Sequence, residues 1–324
     1  MPQQTQWAFP TALQPTPGKV RFDLDATVRS VVMVHAEIPE RAFTASILGT
    51  ERIGSGVVIG ADGLVLTIGY LITEASSIWL TTHDGRVVPG HALAYDQTSG
   101  FGLVLPLGRL DTPCVERGSS ASLAVSDEVI VMGHGGLPHS LNARVIARRE
   151  FAGYWEYVLD EAIFTAPPHP EWGGTALVGA DGRLLGIGSL LTQERTSGEA
   201  FDANMFVPID LLEPILDDMV RLGRPARPPR PWLGLYATEL QDRIVIGGLT
   251  QGGPAHRAGV RVGDVVLEVA GTPVSSLPQL FRGIWSVGPA GTDVPLALER
   301  GEDTIRLRVP SADRNDFLLK PRRH

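Results

Sequence analysis

Short apolar runs separated by glycine-rich turns dominate the chain from about residue 28 to residue 207. The runs are four to eight residues long, as half-buried or buried strands should be. Two turns contain Ala-Asp-Gly, at 61–63 and 180–182, which predicts type I′ hairpins because these need a positive φ. The pattern predicts an all-β barrel or sandwich. The clearest runs are VRSVVMV (28–34), SGVVIG (55–60), LVLTIG (64–69), SIWLTT (77–82), EVIVMG (128–133), YVLDEAIF (157–164) and RLLGIGSLL (183–191).

A helical pattern begins near residue 210. We expect Asp210 to cap this helix and Gly223 to end it. The next segment, GRPARPPRP (223–231), has four prolines and three arginines, which favours a stiff, solvated linker. Beyond it, the chain has the pattern of a second compact unit with strands and two short helices. The apolar positions of the predicted helix are Leu211, Leu212, Ile215, Leu216, Met219 and Val220.

Five segments follow from this organisation. A chain of 324 residues is long enough for two domains that each bury a core. We therefore predict an irregular N-terminal arm (1–20), a β-rich domain (21–222), a linker (223–231), a second domain (232–311) and a basic tail (312–324).

Composition and charge narrow the class of protein. Apolar residues make up 43% and charged residues 20%, as in ordinary globular proteins. The net charge of −8 disfavours binding to nucleic acid. The single cysteine, Cys114, cannot form an intramolecular disulfide, and we expect it to be a small buried hydrophobe. No cofactor is expected.

No targeting or membrane-spanning segment is recognisable. The N-terminal residues lack a basic start followed by an apolar run, and no stretch of about 18 apolar residues occurs. We expect a cytoplasmic location if Met1 is the natural start, and a periplasmic location if a signal has been removed.

The second predicted domain carries a binding signature. The run GGPAHRAGVRVGDVVLEVAGTPV (252–274) resembles the core of a bacterial, circularly permuted PDZ domain, which has an α+β fold. The stretch Trp232-Leu233-Gly234-Leu235 resembles the loop whose backbone N–H groups receive a peptide's terminal carboxylate, with Arg230 nearby. Tyr236 and Ala237 would form the sheet edge that accepts a peptide strand. The helical wall of this groove would be Leu277, Leu280, Phe281 and Ile284; alternatively, these four residues are only core.

Together the two domains resemble the HtrA/Deg family, in which a trypsin-like double β-barrel protease precedes a PDZ domain. Residues 53–67 resemble the strand pair that leads to the catalytic histidine, and 126–136 resemble the segment with the family's G-N-P motif. Residues 171–189 resemble the nucleophile loop, and 205–216 resemble the closing strand and linker helix. The resemblance runs from about residue 28 to residue 310 and implies a mostly β fold.

The chain departs from this family at the positions that would carry catalysis. A serine triad needs a hydroxyl nucleophile, an imidazole base and a carboxylate. Here Tyr70 stands at the histidine position, Gly100 at the aspartate position and Trp172 at the serine position. A phenol with a pKa near 10 cannot shuttle protons at neutral pH, and an indole is only an N–H donor. Pro170 replaces the glycine of the oxyanion hole and has no N–H.

These departures predict a catalytically inactive HtrA-like pseudoprotease. Its function would be to bind extended or C-terminal peptides of other proteins in the PDZ groove, and the bulky Tyr70 and Trp172 would fill the former cleft. The alternative is an active serine endopeptidase with non-standard catalytic residues, for which Ser99 and Thr175 are nearby hydroxyls.

Two further features leave alternatives open. Loop histidines His134, His139 and His169 lie near the former cleft and suggest a metal site, but they lack a helical ligand spacing, so we expect them to be ordinary loop residues. Trp7 and Phe9 suggest a homotrimer, because the family often assembles through aromatic residues near the N-terminus. The other interpretation is an unattached arm.

Overall fold

The computed structural model describes residues 7–196 and 198–319. Residues 1–6 of the predicted arm and 320–324 of the predicted tail lie outside the described residues. The strands are β1 (Val31–Glu37), β2 (Glu51–Val58), β3 (Val65–Ile68), β4 (Ser77–Thr81), β5 (Val87–Tyr95), β6 (Phe101–Pro106), β7 (Glu128–Met132), β8 (Ser140–Gly153), β9 (Tyr157–Ala166), β10 (Ala176–Val178), β11 (Leu184–Thr196), β12 (Glu199–Pro208), β13 (Leu235–Leu240), β14 (Arg243–Leu249), β15 (Val265–Val269), β16 (Thr272–Pro273), β17 (Asp293–Arg300) and β18 (Asp303–Pro310). The α-helices are α1 (Leu24–Arg29), α2 (Ala45–Leu48), α3 (Leu216–Leu222), α4 (Pro254–Arg257) and α5 (Leu277–Ser286).

The first unit contains two closed antiparallel barrels. It comprises the described chain up to Arg149, Glu161–Ala226 and Leu319. The strand orders are β1-β2-β3-β6-β5-β4 and β10-β11-β12-β9-β8-β7. Apolar positions such as Leu66, Leu141 and Phe206 are fully buried. The mostly β fold with two barrels is therefore confirmed.

The two Ala-Asp-Gly turns have a different geometry from the predicted type I′. Only their glycines, Gly63 and Gly182, have a positive φ, at 86° and 82°. The aspartate side chains instead accept hydrogen bonds from backbone N–H groups two residues on, from Leu64 to Asp62 and from Arg183 to Asp181. Such Asx turns leave the aspartate in its ordinary φ range.

The predicted single helix near residue 210 is interrupted. A 3-10 turn spans Ile209–Leu211, and α3 begins only at Leu216, because Pro214 has no N–H to continue the ladder. Asp210 does not cap the helix; its carboxylate accepts from the N–H and hydroxyl of Ser120. Gly223 ends the helix in the left-handed conformation, as expected. Cys114 is exposed, so its prediction as a buried hydrophobe was wrong.

The second unit comprises Glu150–Asp160 and Arg227–Leu318. Its sheet has the order β13-β14-β15-β17-β18, with β16 paired to β15, so β13 is an edge strand. Helix α5 is capped by the Ser276 side chain and buries one apolar face in the core. Residues 150–160 were predicted to belong to the β-rich domain, whereas in the structure they group with the second unit.

Candidate functional site

The three predicted triad positions lie on separate loops of the first unit. Tyr70 is the centre of a 3-10 turn, Gly69–Leu71, which directly follows β3. Trp172 lies in the loop that leads into β10, and Gly100 lies in the turn between β5 and β6.

The residues at the predicted histidine and serine positions contact each other. The Trp172 indole hydrogen-bonds the Tyr70 hydroxyl, which in turn donates to the carbonyl oxygen of Ser189 at 2.9 Å. Burial raises the pKa of Tyr70, so the phenol stays protonated and donates at all ordinary pH values. The pair offers neither a hydroxyl with an adjacent base nor an imidazole.

Gly100 meets the same turn through its backbone. Its carbonyl oxygen accepts from the Gly69 N–H at 2.7 Å, and its own N–H donates to the Asp96 carbonyl at 2.8 Å. The Asp96 carboxylate is used locally, by the N–H and hydroxyl of Ser99. Gly100, at the predicted aspartate position, therefore contacts the turn that carries Tyr70 but supplies no charged side chain to it.

The loop from Pro170 to Thr175 packs closely against β2. The Ser55 N–H donates to the Gly173 carbonyl at 2.8 Å. Gly174 has a φ of 79°, and a Cβ there would lie 1.8 Å from the Ser55 carbonyl oxygen. Only glycine fits this position. The Thr175 hydroxyl donates to the Trp172 carbonyl at 2.9 Å, so it serves the loop's backbone.

A hydroxyl, an imidazole and a carboxylate meet at a place the sequence analysis missed. Ser55 Oγ lies 3.1 Å from His134 Nδ1, and His134 Nε2 lies 3.9 Å from Glu171 Oε2. Ser55 is 0% exposed, and its Oγ also accepts the backbone N–H of His134 at 3.0 Å. Burial lowers the pKa of His134 despite the opposing effect of Glu171. Nothing in the sequence relates these three residues, which meet only in the fold.

His169 is a satisfied buried histidine. Its Nε2 lies 3.1 Å from the His139 carbonyl, and its Nδ1 accepts from the Glu171 N–H at 3.1 Å, which assigns the proton to Nε2. Burial lowers the pKa of His169 to about 4. No group of three or more His, Cys, Asp or Glu side chains within 7–196 and 198–319 is arranged to hold a metal ion.

Trp7 and Phe9 pack on these histidines within the same chain. The Trp7 ring centroid lies 4.3 Å from that of His139, and the Phe9 centroid lies 5.2 Å from that of His169. Trp7 Nε1 donates to the Glu171 carboxylate at 3.0 Å. An unattached arm is therefore wrong for these two residues. The homotrimer stays a prediction.

The second unit holds the predicted carboxylate-binding loop, Trp232–Leu235. The N–H groups of Leu233, Gly234 and Leu235 converge on one acceptor, the Glu156 carboxylate. Gly234 has a φ of 74°, a backbone conformation that favours glycine. Glu156 could not be predicted from the sequence, because no motif relates a residue at a hairpin tip to a loop that follows much later in the chain.

The other predicted groove residues divide between core and surface. Arg230 is exposed and places its guanidinium 4.2 Å above the Trp285 ring. Trp232 pairs with Ala312 and packs against Phe317. Tyr236 is half-buried on the edge strand β13. The wall residues belong to the hydrophobic core: Leu277, Leu280, Phe281 and Ile284.

Comparison with known proteins finds a matching domain family for each of two parts of the chain. Residues 54–187 match the trypsin-like peptidase domain, and residues 231–310 match the PDZ domain. A probable periplasmic serine endoprotease DegP-like of Halomonas elongata is 28% identical over 276 residues, 81% of this chain and 57% of that protein. The chain thus spans little more than half of this relative. The serine protease PepD of Mycobacterium tuberculosis is 28% identical over 94% of this chain and 69% of its own length.

Solved structures agree on the fold. The HtrA-type protease AlgW with a tripeptide covers 92% of this chain and 97% of its own at a TM-score of 0.54 and 19% identity. A serine endoprotease from Yersinia pestis gives a TM-score of 0.53 at 20% identity. No helix in the described part of the chain is long and apolar enough to cross a membrane.

These findings define a trypsin-like peptidase fold combined with a PDZ domain. This combination of domains is similar to that of HtrA-type proteins, and the relatives that the chain matches are named as serine proteases.

Proposed function

We propose that this chain is an HtrA-type pseudoprotease that binds extended or C-terminal peptides of other proteins in its PDZ groove. The observation that carries the proposal is the hydrogen bond between Trp172 and Tyr70. At the positions predicted for the nucleophile and the base, this contact pairs an indole with a phenol, which supports the absence of acyl transfer. The binding role is supported by three N–H groups, of Leu233, Gly234 and Leu235, that converge on a carboxylate.

The test of inactivity combines turnover and labelling. Purified protein should neither cleave unfolded casein nor react with a fluorophosphonate probe. Cleavage that co-purifies with the chain and responds to a substitution in it would overturn the proposal.

Peptide binding is tested with matched ligands. A decapeptide with a free carboxylate should bind, and its C-terminal carboxamide twin should bind at least about tenfold more weakly, because the amide loses the charge that N–H groups favour. Equal affinity for the twins would contradict recognition by the carboxylate loop. Aspartate substitutions at Leu235 or Phe281 are unsuitable, since these side chains are 1% and 0% exposed and belong to the core.

A second candidate function is hydrolysis through Ser55, His134 and Glu171, which the distances of 3.1 and 3.9 Å favour. Against it, Ser55 is fully buried, so its hydroxyl is not accessible to a substrate carbonyl in this structure. Ser55→Ala should abolish any genuine turnover, whereas Thr175→Ala serves as the hydroxyl control. Turnover that is lost only in Ser55→Ala would favour the hydrolase.

A further inference from the structure

The tip of the β8–β9 hairpin has an unusual backbone conformation. Tyr154, Trp155 and Glu156 connect the two strands, and Glu156 has a φ of 59°, rare for a residue with a side chain. The Trp155 ring stacks on Tyr157 with a centroid distance of 5.7 Å and an interplanar angle of 15°. This packing fixes the direction in which Glu156 leaves the tip.

The Glu156 carboxylate occupies the carboxylate loop. Oε1 accepts from Gly234 at 2.7 Å and from Leu235 at 3.1 Å, and Oε2 accepts from Leu233 at 3.1 Å. Glu156 is 5% exposed, and the positive charge of Arg314 acts on it. A buried carboxylate needs such donors, because an unpaired charge in the interior is unstable.

The tip also engages the sheet edge and the apolar groove. The Ala237 N–H on β13 donates to the Tyr154 carbonyl at 3.0 Å, as it would to an added strand. Val158 is 7% exposed and belongs to the same hydrophobic core as Leu280 and Phe281 of α5. The hairpin therefore provides the three elements of a bound peptide: a carboxylate, a backbone acceptor and an apolar side chain.

Charge pairs hold both strands of the hairpin to α5. Arg282 on α5 forms ion pairs with Glu150 on β8 and with Asp160 on β9. These pairs are partly exposed, so each contributes little. They leave Glu156 and its three N–H donors as the main polar contact of the tip.

We propose that the tip of this hairpin is the resident ligand of the PDZ groove, and that an outside peptide binds by replacing the Glu156 carboxylate with its own. The proposal rests on the peptide-binding function proposed above. When only a fraction of the protein is competent to bind, the apparent Kd is the intrinsic Kd divided by that fraction, so binding is weaker. Removing Glu156 therefore strengthens peptide binding, the opposite of what loss of a binding residue does.

The first experiment measures occupancy without any peptide. Hydrogen exchange of the Leu233, Gly234 and Leu235 amides is compared in the full wild-type chain, Glu156→Gln and Glu156→Ala. Glu156→Ala should exchange at least about tenfold faster at these amides because their acceptor is lost, and Glu156→Gln, which keeps one acceptor oxygen, should exchange at a rate between those of wild type and Glu156→Ala. Glu161→Gln, which changes an exposed acid on β9, is the matched control and should not change exchange at these amides. Unchanged exchange in both Glu156 variants would overturn the proposal.

The second experiment adds a decapeptide that ends in valine with a free carboxylate. Its affinity should be at least about tenfold higher for Glu156→Ala than for wild type. On the wild-type chain, saturating peptide should speed exchange at Phe151–Val158, which also tests the proposal if the variants unfold. Equal or weaker binding by a folded Glu156→Ala would contradict it. If the loop amides exchange faster in the Glu156 variants but neither wild type nor variants bind the peptide, then Glu156 does occupy the loop. In that case the proposed peptide-binding function is rejected instead.

Discussion

The hydroxyl of Tyr70 donates to the backbone carbonyl of Ser189 at 2.9 Å. This bond, with the Trp172 indole on its other side, makes the phenol a structural group between two loops. Burial also raises the pKa of Tyr70, because it disfavours the phenolate. Tyr70, at the position predicted for the catalytic histidine, thus joins the two loops by hydrogen bonds.

Tyr70→Phe should lower the free energy of unfolding by about 1–2 kcal/mol, because the Ser189 carbonyl and the Trp172 N–H lose a partner. Urea unfolding followed by circular dichroism measures this. Tyr236→Phe is the control, since its hydroxyl has only a long contact of 3.4 Å with Thr250. A loss no larger than that of the control would show that the Tyr70 hydroxyl is not structural.

Rebuilding the triad should not by itself restore catalysis. Tyr70→His, Gly100→Asp and Trp172→Ser together supply the three side chains, but Pro170 still provides no N–H for the oxyanion. Loss of one such donor costs about 10²–10³ in kcat. Adding Pro170→Gly should therefore raise casein turnover by at least about 100-fold over the triple variant.

The control for this series carries Trp172→Ala in place of Trp172→Ser and should be inert. Gly100 has a φ of 84°, a conformation that aspartate tolerates better than most side chains, so folding of the series is checked by circular dichroism. Full turnover by the triple variant would refute the argument from Pro170.

Docking of the hairpin should depend on pH. Burial raises the pKa of Glu156 to about 7, outweighing the three N–H groups and Arg314, which lower it. Because the pKa of the Glu156 carboxyl is higher in the docked hairpin than in the undocked one, protonation stabilises docking. This contribution is complete below the ordinary pKa of the carboxyl and is lost as pH rises through 7. The apparent affinity for a peptide with a free carboxylate should therefore rise between pH 5 and pH 8.

Glu156→Gln removes the titrating group and should flatten that profile. The nearby charges of Arg314, Arg282, Glu150 and Asp160 remain in this variant, so any dependence they cause persists. An identical profile in wild type and Glu156→Gln would refute the assignment to Glu156.

Asp264 should make the second unit acid-sensitive. Burial would raise its pKa, but Arg300, at 2.7 Å from each carboxylate oxygen, and the Arg261 N–H outweigh burial and lower it. Because the pKa of Asp264 is lower in the folded state than in the unfolded state, its ionised carboxylate stabilises the fold. This contribution is present above the ordinary pKa of aspartate and is lost as pH falls through the folded-state pKa. Asp264→Asn should destabilise the unit by about 1.5–3 kcal/mol, because hydrogen bonds to a charged group are lost.

Urea unfolding at pH 7 and at pH 3 measures this contribution. Glu299→Gln, which breaks the exposed pair with Arg243, should cost at most about 1 kcal/mol. Equal losses for the two variants would contradict a special role of the buried Asp264.

The sequence predicts the elements better than it predicts their contacts. Apolar runs and turn glycines are local signals, so the β-rich character of the first unit and the apolar face of α5 follow from them, whereas the double barrel was implied by the family resemblance. The Asp210 cap failed because a distant Ser120 competes for the same carboxylate. Within the candidate site, Tyr70, Gly100 and Trp172 were found from motif positions. Glu156 and Ser55 were not, since their partners are brought near only by tertiary packing.

Ala237 lies on an edge strand, where unpaired backbone groups are a template for pairing with other chains. The Tyr154 carbonyl at 3.0 Å protects this edge. If the hairpin moves away, the backbone groups of this edge strand become unpaired and available to other chains. The same contact therefore affects both the solubility of the protein and the exchange of ligand.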